Sequence, residues 1–361
     1  MSDPLPRGSS IGILGGGQLG RMLSVAGARL GFRTHIFEPG AQPPAGHVAN
    51  LVTTAEYNNT DALQQFGRSV DVITYEFENV PTSALDVLEP LAPIRPGREA
   101  LRISQDRVIE KDFLRTLGLK VAPFAAVDDA PALTSAIAQI GTPAILKTRQ
   151  FGYDGKGQSR LATPNDATRA LIDMAGAPAI LEGFVDFDRE ISVIVARGQS
   201  GDIASFDPGE NVHIDGILRT TTVPASISHT QRVEAVAAAE RIVDALDYIG
   251  VLGIEFFVTP AGLLVNEFAP RVHNSGHWTQ NGCTIDQFEQ HIRAISGWPL
   301  GDGQRHSDVH MENLIGHDLD RLADLAASPH LSLHLYGKAE VKADRKMGHV
   351  NRVTGDRGDS T

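Results

Sequence analysis

Cysteine is nearly absent from this chain: Cys283 stands alone among 361 residues. That excludes an intrachain disulfide and a multi-cysteine zinc site, and it fits a reducing compartment. Long apolar runs are missing too. No stretch approaches the roughly 18 residues of a membrane span, and the opening MSDPLPRGSS lacks the apolar centre of a signal peptide. Positive charge is in deficit, with 32 Lys and Arg against 44 Asp and Glu, a net charge of −12. Duplex nucleic acid and anionic membrane surfaces call for the opposite balance. The chain is therefore expected in the cytoplasm, with neither nucleic acid nor membrane as a partner.

What is present describes a folded protein. Hydrophobic residues make up 42% and charged residues 21%, which argues against disorder. The length implies two or three domains. Residues 11–14 form an apolar run that meets Gly15, Gly16 and Gly17, a helical pattern follows to about residue 30, and a second strand spans 34–37. This β-turn-α-β opening starts a parallel sheet, completed by about residue 103 with a strand over 70–75. One charged amphipathic helix is expected over 104–118 within a connection at 104–123. Residues 124–185 read as a small α+β lid, and 186–361 as the largest, α+β domain. The polar NRVTGDRGDST at the end is expected to fray.

The turn Gly15-Gly16-Gly17-Gln18-Leu19-Gly20 fits G-x-G-x-x-G, and Glu38 ends the next strand where a ribose-binding acid would lie. The pattern admits a nicotinamide site. It equally admits a phosphate or substrate site, since any tight β-α turn invites glycine.

Lys147 ends the apolar strand over 143–146 and is followed by Gly152-Tyr153-Asp154-Gly155-Lys156-Gly157-Gln158. The P-loop spacing is absent, but glycines with Lys156 suit a loop that closes over phosphates, with Lys147 as a fixed cation. Further on, Glu182-Gly183-Phe184-Val185 ends another apolar strand, where backbone groups can read an adenine edge. Glu190 could accept from a ribose.

Glu255 and Glu267 lie on two apolar segments joined by the turn Thr259-Pro260-Ala261-Gly262. In the resulting hairpin they fall opposite one another, ~5 Å apart on one face. Like charges so placed destabilise a hairpin unless a cation lies between them, and hard carboxylate ligands favour magnesium. Asn266 adds an oxygen. Directly after comes Arg271-Val272-His273-Asn274-Ser275-Gly276-His277-Trp278. So dense a polar strip implies a bound ligand. Arg271 suits a planar anion such as bicarbonate, and His273 and Asn274 can donate to its developing charge. Trp278 is expected to pack.

The runs GGGQLGRM, ITYEFENVP, FGYDGKGQ, HIDGILRTT and NEFAPRVHNSGHWTQNG resemble the ATP-grasp superfamily. Within it, they resemble the family of ATP-dependent 5-(carboxyamino)imidazole ribonucleotide synthases, over nearly the whole chain. The resemblance implies three domains: a Rossmann-like parallel α/β domain, a lid and a large C-terminal domain. It implies ATP between lid and large domain, bound by Arg107, Lys147, the 152–158 loop, Glu182, Gly183, Phe184, Val185, Glu190, His213, Asn266 and Glu267. Magnesium would be held by Glu255 and Glu267. The implied reaction carboxylates the exocyclic amine of aminoimidazole ribonucleotide through carboxyphosphate. Tyr153, Asp154, Arg271, His273 and Asn274 would surround the reacting groups, with Asp154 orienting or deprotonating the amine. Ser275 belongs to the same substrate strip. Gln18 and Glu76 would complete the ribonucleotide pocket, and Arg345, Lys346 and Arg352 would hold its 5′-phosphate. A homodimer is implied as well.

Overall fold

The computed structural model describes residues 3–152 and 156–356, and three sheets organise them. The first contains β1 (Ser10–Leu14), β2 (Arg33–Phe37), β3 (Leu51–Thr53) and β4 (Val72–Tyr75), with helices α1 (Gln18–Arg29), α2 (Thr60–Arg68) and α3 (Thr82–Leu88). Its order is β3-β2-β1-β4 and every pairing is parallel. Buried residues fill all of β4, as a sheet covered on both faces requires.

Two helices connect this sheet to the next, α4 (Arg98–Ser104) and α5 (Arg107–Thr116). The helix expected over 104–118 is α5, which starts three residues later than expected, and α4 before it was not expected. Asp106 sets that start: its Oδ1 accepts from the amides of Val108 (2.9 Å) and Ile109 (3.3 Å), capping α5. The second sheet holds β5 (Phe124–Val127), β6 (Ala144–Thr148), β7 (Gln158–Leu161) and β8 (Ala179–Gly183), with α6 (Ala130–Ile140) and α7 (Ala167–Asp173) against it. Its order, β5-β8-β6-β7, is antiparallel throughout.

The third sheet has nine strands. They are β9 (Arg189–Arg197), β10 (Ile203–Ser205), β11 (Gly209–Ile214), β12 (Ile217–Val223), β13 (Gly250–Thr259), β14 (Gly262–Ala269), β15 (Ser307–Ile315), β16 (Leu331–Leu335) and β17 (Lys346–Asp356). The accompanying helices are α8 (His229–Ala245), α9 (Thr279–Gly282), α10 (Gln287–Ser296) and α11 (Leu322–Ala327). Strand β9 shows why this sheet is covered on both faces. Ile191, Val193 and Val195 pack with α8 residues Ala235, Ala239 and Ile242, while Ile194 and Ala196 pack toward Trp278, Ile292 and the first sheet's Ile11 and Ile13. That is the two-residue alternation of a strand. The fraying expected over 351–361 is not seen in residues 351–356, which continue β17, a strand that pairs with both β15 and β16; residues 357–361 lie outside the described residues.

Candidate active site

A cavity of about 610 Å³ opens where the three sheets meet. Its wall is formed by the start of α1, the segment after β4, the β6–β7 connection and strands β11, β13 and β14. Ligand sites of open parallel sheets lie beyond the carboxyl ends of their strands, and the first sheet presents that end here.

The hairpin β13–β14 has the expected register: Glu255 pairs with Glu267, next to an irregularity at Phe256. Both carboxylates line the cavity with Asn266, the β14 residue that the irregularity leaves without a register partner. Glu267 is 40% exposed, open to the cavity. Arg107 Nη1 lies 2.5 Å from its Oε2 and holds its carboxyl well below the usual range. Burial and the charge of Glu267 push Glu255 the other way, upward. Burial, then Glu267, also raises Glu110, whose Oε1 accepts the Phe268 amide at 2.7 Å. Together with Glu182 these acids number four against the three cations Arg107, Lys111 and Lys147 at this corner, leaving room for added positive charge. Among the described residues no group of three His, Cys, Asp or Glu could enclose a metal ion. Two carboxylates fit magnesium only when water and phosphate oxygens supply its remaining ligands, which is how that ion commonly binds.

Lys147, near the end of β6, donates to Glu182 Oε2 at 2.9 Å. Burial opposes the ionisation of Glu182, but Lys147 and Lys111 outweigh it and hold that carboxyl at about 2. Gly152, Lys156, Gly157 and Gln158 line the cavity. Gly157 is required there: its φ is +71°, and a Cβ would lie 2.6 Å from Thr148 Oγ1. Lys156 is 3.5 Å from Asp344. Tyr153, Asp154 and Gly155 lie outside the described residues. Gly183, Phe184 and Val185 lie outside the cavity wall, and the amides of Gly183 and Phe184 are committed to the carbonyls of Pro123 and Pro143. Glu190 and His213 both line the wall, with His213 Nδ1 2.7 Å from Glu190 Oε2. Burial opposes protonation of His213, yet Glu190 and Glu255 raise its pKa overall.

The glycine turn has a different occupant from the one its pattern suggests. Glu76, following β4, accepts the amides of Gly17 and of Gly20 (2.7 Å), and Glu38 accepts that of Gly16 at 2.8 Å. The anion at the N-terminus of α1 is thus a side chain of the protein. A Cβ on Gly17 would lie 2.6 Å from Glu76 Oε1. A dinucleotide pyrophosphate would have to displace these carboxylates from the glycine amides, which argues against the nicotinamide reading.

The polar strip after β14 divides in two. Arg271, His273 and Asn274 reach the cavity. Arg271 is already clamped by Glu78, with Nε 2.6 Å and Nη2 3.3 Å from its two oxygens, so an incoming anion must share it. His273 accepts at Nδ1 from the Ser275 amide at 3.4 Å, with Ser275 Oγ at 2.8 Å. Its Nε2 then carries the proton and points toward Glu255, 3.7 Å away. Burial, then Arg271, keep the ring neutral, down to about 3, so it acts as a donor rather than a base. Both amide atoms of Asn274 are buried without a hydrogen-bond partner, as expected of a group awaiting a ligand. Ser275 is fully buried behind His273 and positions it without reaching the cavity.

The second half of the strip is scaffold. Trp278 is buried, edge-on to Phe206. His277 lies 4.7 Å from His349 with its ring tilted by 34°, and His349 stacks at 4.5 Å on His334. Tyr336, Gln280, Asn281 and Gln287 satisfy these rings at 2.9–3.0 Å. The polar density that implies a ligand is thus partly a buried network joining α9 to β16 and β17.

Gln18 and Lys346 line the cavity, whereas Arg345 and Arg352 do not. Arg352 lies six residues along β17 from Lys346, ~20 Å away at strand rise. Sequence reasoning missed Glu78, Lys111 and the apolar wall of Ile145, Phe187, Leu218 and Phe257. Phe187 and Phe257 stack at 4.7 Å. Glu78 could have been found inside ITYEFENVP, and Lys111 by its helical spacing from Arg107.

Known proteins match this chain along its length. Residues 9–105 match the ribonucleotide synthetase preATP-grasp domain, residues 112–288 the ATP-grasp domain, and residues 310–360 the phosphoribosylaminoimidazole carboxylase C-terminal domain. The N5-carboxyaminoimidazole ribonucleotide synthase of Brucella melitensis biotype 1 is 55% identical over 97% of both chains. That of Pseudomonas aeruginosa is 41% identical over 96% of this chain and 95% of its own. An ADP complex of an N5-carboxyaminoimidazole ribonucleotide synthetase superposes with a TM-score of 0.95 at 41% identity, covering 98% of this chain and 94% of the other. The Aspergillus clavatus synthase, solved with ADP and 5-aminoimidazole ribonucleotide, gives 0.91 at 30% identity, covering 97% and 95%. The chain belongs to the ATP-grasp family of N5-carboxyaminoimidazole ribonucleotide synthases.

Proposed function

We propose that the cavity beside the Glu255–Glu267 hairpin is where ATP, bicarbonate and aminoimidazole ribonucleotide meet, and that its residues divide the family's reaction in purine biosynthesis between them. The observation that carries this assignment is the opposed carboxylate pair, facing a cavity that also holds Lys147, Arg107 and the unpartnered amide of Asn274.

The adenine lies against the stacked Phe187 and Phe257, with its ribose near Glu190. Lys147 and Arg107 receive the phosphates. Magnesium bound to Glu255 and Glu267 would neutralise charge on the transferred phosphoryl group. A bicarbonate oxygen attacks the γ-phosphorus and ADP leaves, giving carboxyphosphate. The exocyclic amine then attacks the carboxyl carbon, the phosphate oxygen departs with its electron pair, and the amine loses a proton. Positioning and charge neutralisation dominate phosphoryl transfer, so the fixed side chains matter most. Arg271 and the donors on His273 Nε2 and Asn274 hold bicarbonate. Tyr153 and Asp154 act on the amine, Asp154 taking or orienting its proton. Lys346 holds the 5′-phosphate, with Gln18 and Glu76 on the ribonucleotide side. The three-domain division at 103, 123 and 185, the homodimer and a cytoplasmic location belong to the same reading. No described helix is long and apolar enough to cross a membrane.

The test is release of ADP and phosphate from ATP, magnesium and bicarbonate. Release should require the ribonucleotide, and Glu267→Gln should lower turnover by about a thousandfold with an unchanged circular dichroism spectrum. Near-normal turnover of that variant at limiting magnesium would move the metal site elsewhere.

A further inference from the structure

Lys111 is only 1% exposed, an uncommon position for a lysine. It shares one face of α5 with Arg107 and Glu110, at the three- and four-residue spacing that aligns side chains on a helix. Its ammonium contacts two elements. It donates to the carbonyl of Asn266 in β14 at 3.2 Å, and it lies 3.4 Å from Glu182 Oε1 in β8. That oxygen has no hydrogen-bond partner among the described residues, so the Lys111 charge is what compensates it. The other oxygen of Glu182 is held by Lys147. One buried carboxylate is therefore gripped by two lysines, of which Lys147 lines the cavity and Lys111 does not.

Such an arrangement permits a hand-over of charge. If Lys147 were the sole partner of Glu182, moving it to a phosphate would strand a buried carboxylate without a counter-charge. With Lys111 fixed behind it, Glu182 keeps a counter-charge when Lys147 turns outward. The bond from Lys111 to Asn266 also ties this lid strand to the strand that carries Glu267. We propose that Lys111 is a positioning residue: it is the standing counter-ion of Glu182 that frees Lys147 for the triphosphate and couples β8 to β14. The inference rests on the assignment of Lys147 to the phosphates made above.

Steady-state kinetics on the full chain test it. Lys111→Met keeps the length of the stem and removes the charge, so Lys147 becomes the only partner of Glu182. The KM for ATP should rise about tenfold or more, while the KM for the ribonucleotide changes less than about twofold. In a Glu182→Gln background, where the carboxylate that needs two cations is gone, adding Lys111→Met should raise the ATP KM by less than about threefold. Equal rises in both KM values, or an additive double variant, would reduce Lys111 to a packing residue and overturn the proposal. Should Lys111→Met fail to fold, Lys111→Arg takes its place. Retention of the ATP KM within about threefold supports the counter-ion role, and a selective rise beyond about tenfold overturns it. Lys147→Met separates the two levels of the argument. If it leaves the ATP KM unchanged, the nucleotide assignment itself fails. If it raises that KM and Lys111→Met does not, only the hand-over fails.

Discussion

Glu76 and Glu255 line the same cavity, and the chain treats their charges in opposite ways. Glu76 reaches back into its own fold. The amides of Gly17 and Gly20 bind it and so anchor the start of α1, even though burial raises its pKa overall. Glu255 faces a second carboxylate across a hairpin and is pushed upward by burial and by that neighbour. A carboxylate satisfied by backbone amides belongs to the architecture, whereas one left against a like charge is waiting for something from outside. The G-x-G-x-x-G turn has the more familiar pattern, but the hairpin is the one that leaves a like charge unanswered.

Glu255→Gln should break this comparison most forcefully. It removes one of the two opposed charges, so the protein without magnesium should gain about 1 kcal/mol, or ~2 °C in Tm. Turnover should fall by about a thousandfold, and magnesium with ADP should no longer give the rise in Tm expected of the unsubstituted chain. Differential scanning fluorimetry with and without magnesium reads the first and last effects. A variant that is less stable without the metal would mean that the pair is held by the fold alone.

How legible this was in the sequence depended on whether local spacing settles geometry. The hairpin register follows from a short turn between two apolar segments, and the parallel opening sheet follows from its β-turn-α-β pattern, so both could be read. Asp106 shifted the start of the expected helix because a capping acid and an ordinary helical acid look alike until the backbone bends. The occupant of the glycine turn was invisible for another reason: Glu76 lies 59 residues from Gly17, and nothing local announces the contact. The histidines divide in the same way. His273 faces the cavity, while His277, four residues on, is a buried link to His349. Only the fold of β16 and β17 decides between them. Glu78 on Arg271 and Glu182 between two lysines are likewise pairings across sheets.

Glu76→Ala sharpens the other side of the comparison. Two amides lose a charged acceptor, and α1 loses the negative charge at its N-terminus. Stability should drop by about 2–3 kcal/mol, read as a lower urea midpoint. The added stability conferred by magnesium and ADP should persist, because the hairpin is untouched. If Glu76→Ala instead abolished the magnesium effect and left the urea midpoint alone, the architectural and chemical roles would have to be exchanged.

The stacked histidines extend the comparison to pH and carry the smallest expected effect. His334 donates from Nε2 to Asn281 Oδ1, an oxygen that also accepts from Asn351. His349 sits between Gln280 Oε1 and the Tyr336 hydroxyl. These partners suit neutral rings. Burial lowers all three pKa values, His334 to about 4 and His277 and His349 well below the usual histidine value. The unfolded chain, with histidines near 6.5, therefore binds more protons than the folded one below that pH. Stability is complete above about 6.5 and declines as pH falls toward 4. His334→Gln removes one of these groups. It should lessen the loss between pH 7 and 5.5 by about 1 kcal/mol, measured as the difference between variant and parent urea curves at the two pH values. Because this network is satisfied within the protein, like Glu76 and unlike Glu255, the shape of the kcat–pH profile should be the same in variant and parent. A displaced kinetic pKa would mean that the histidine stack reaches through His277 to the chemistry.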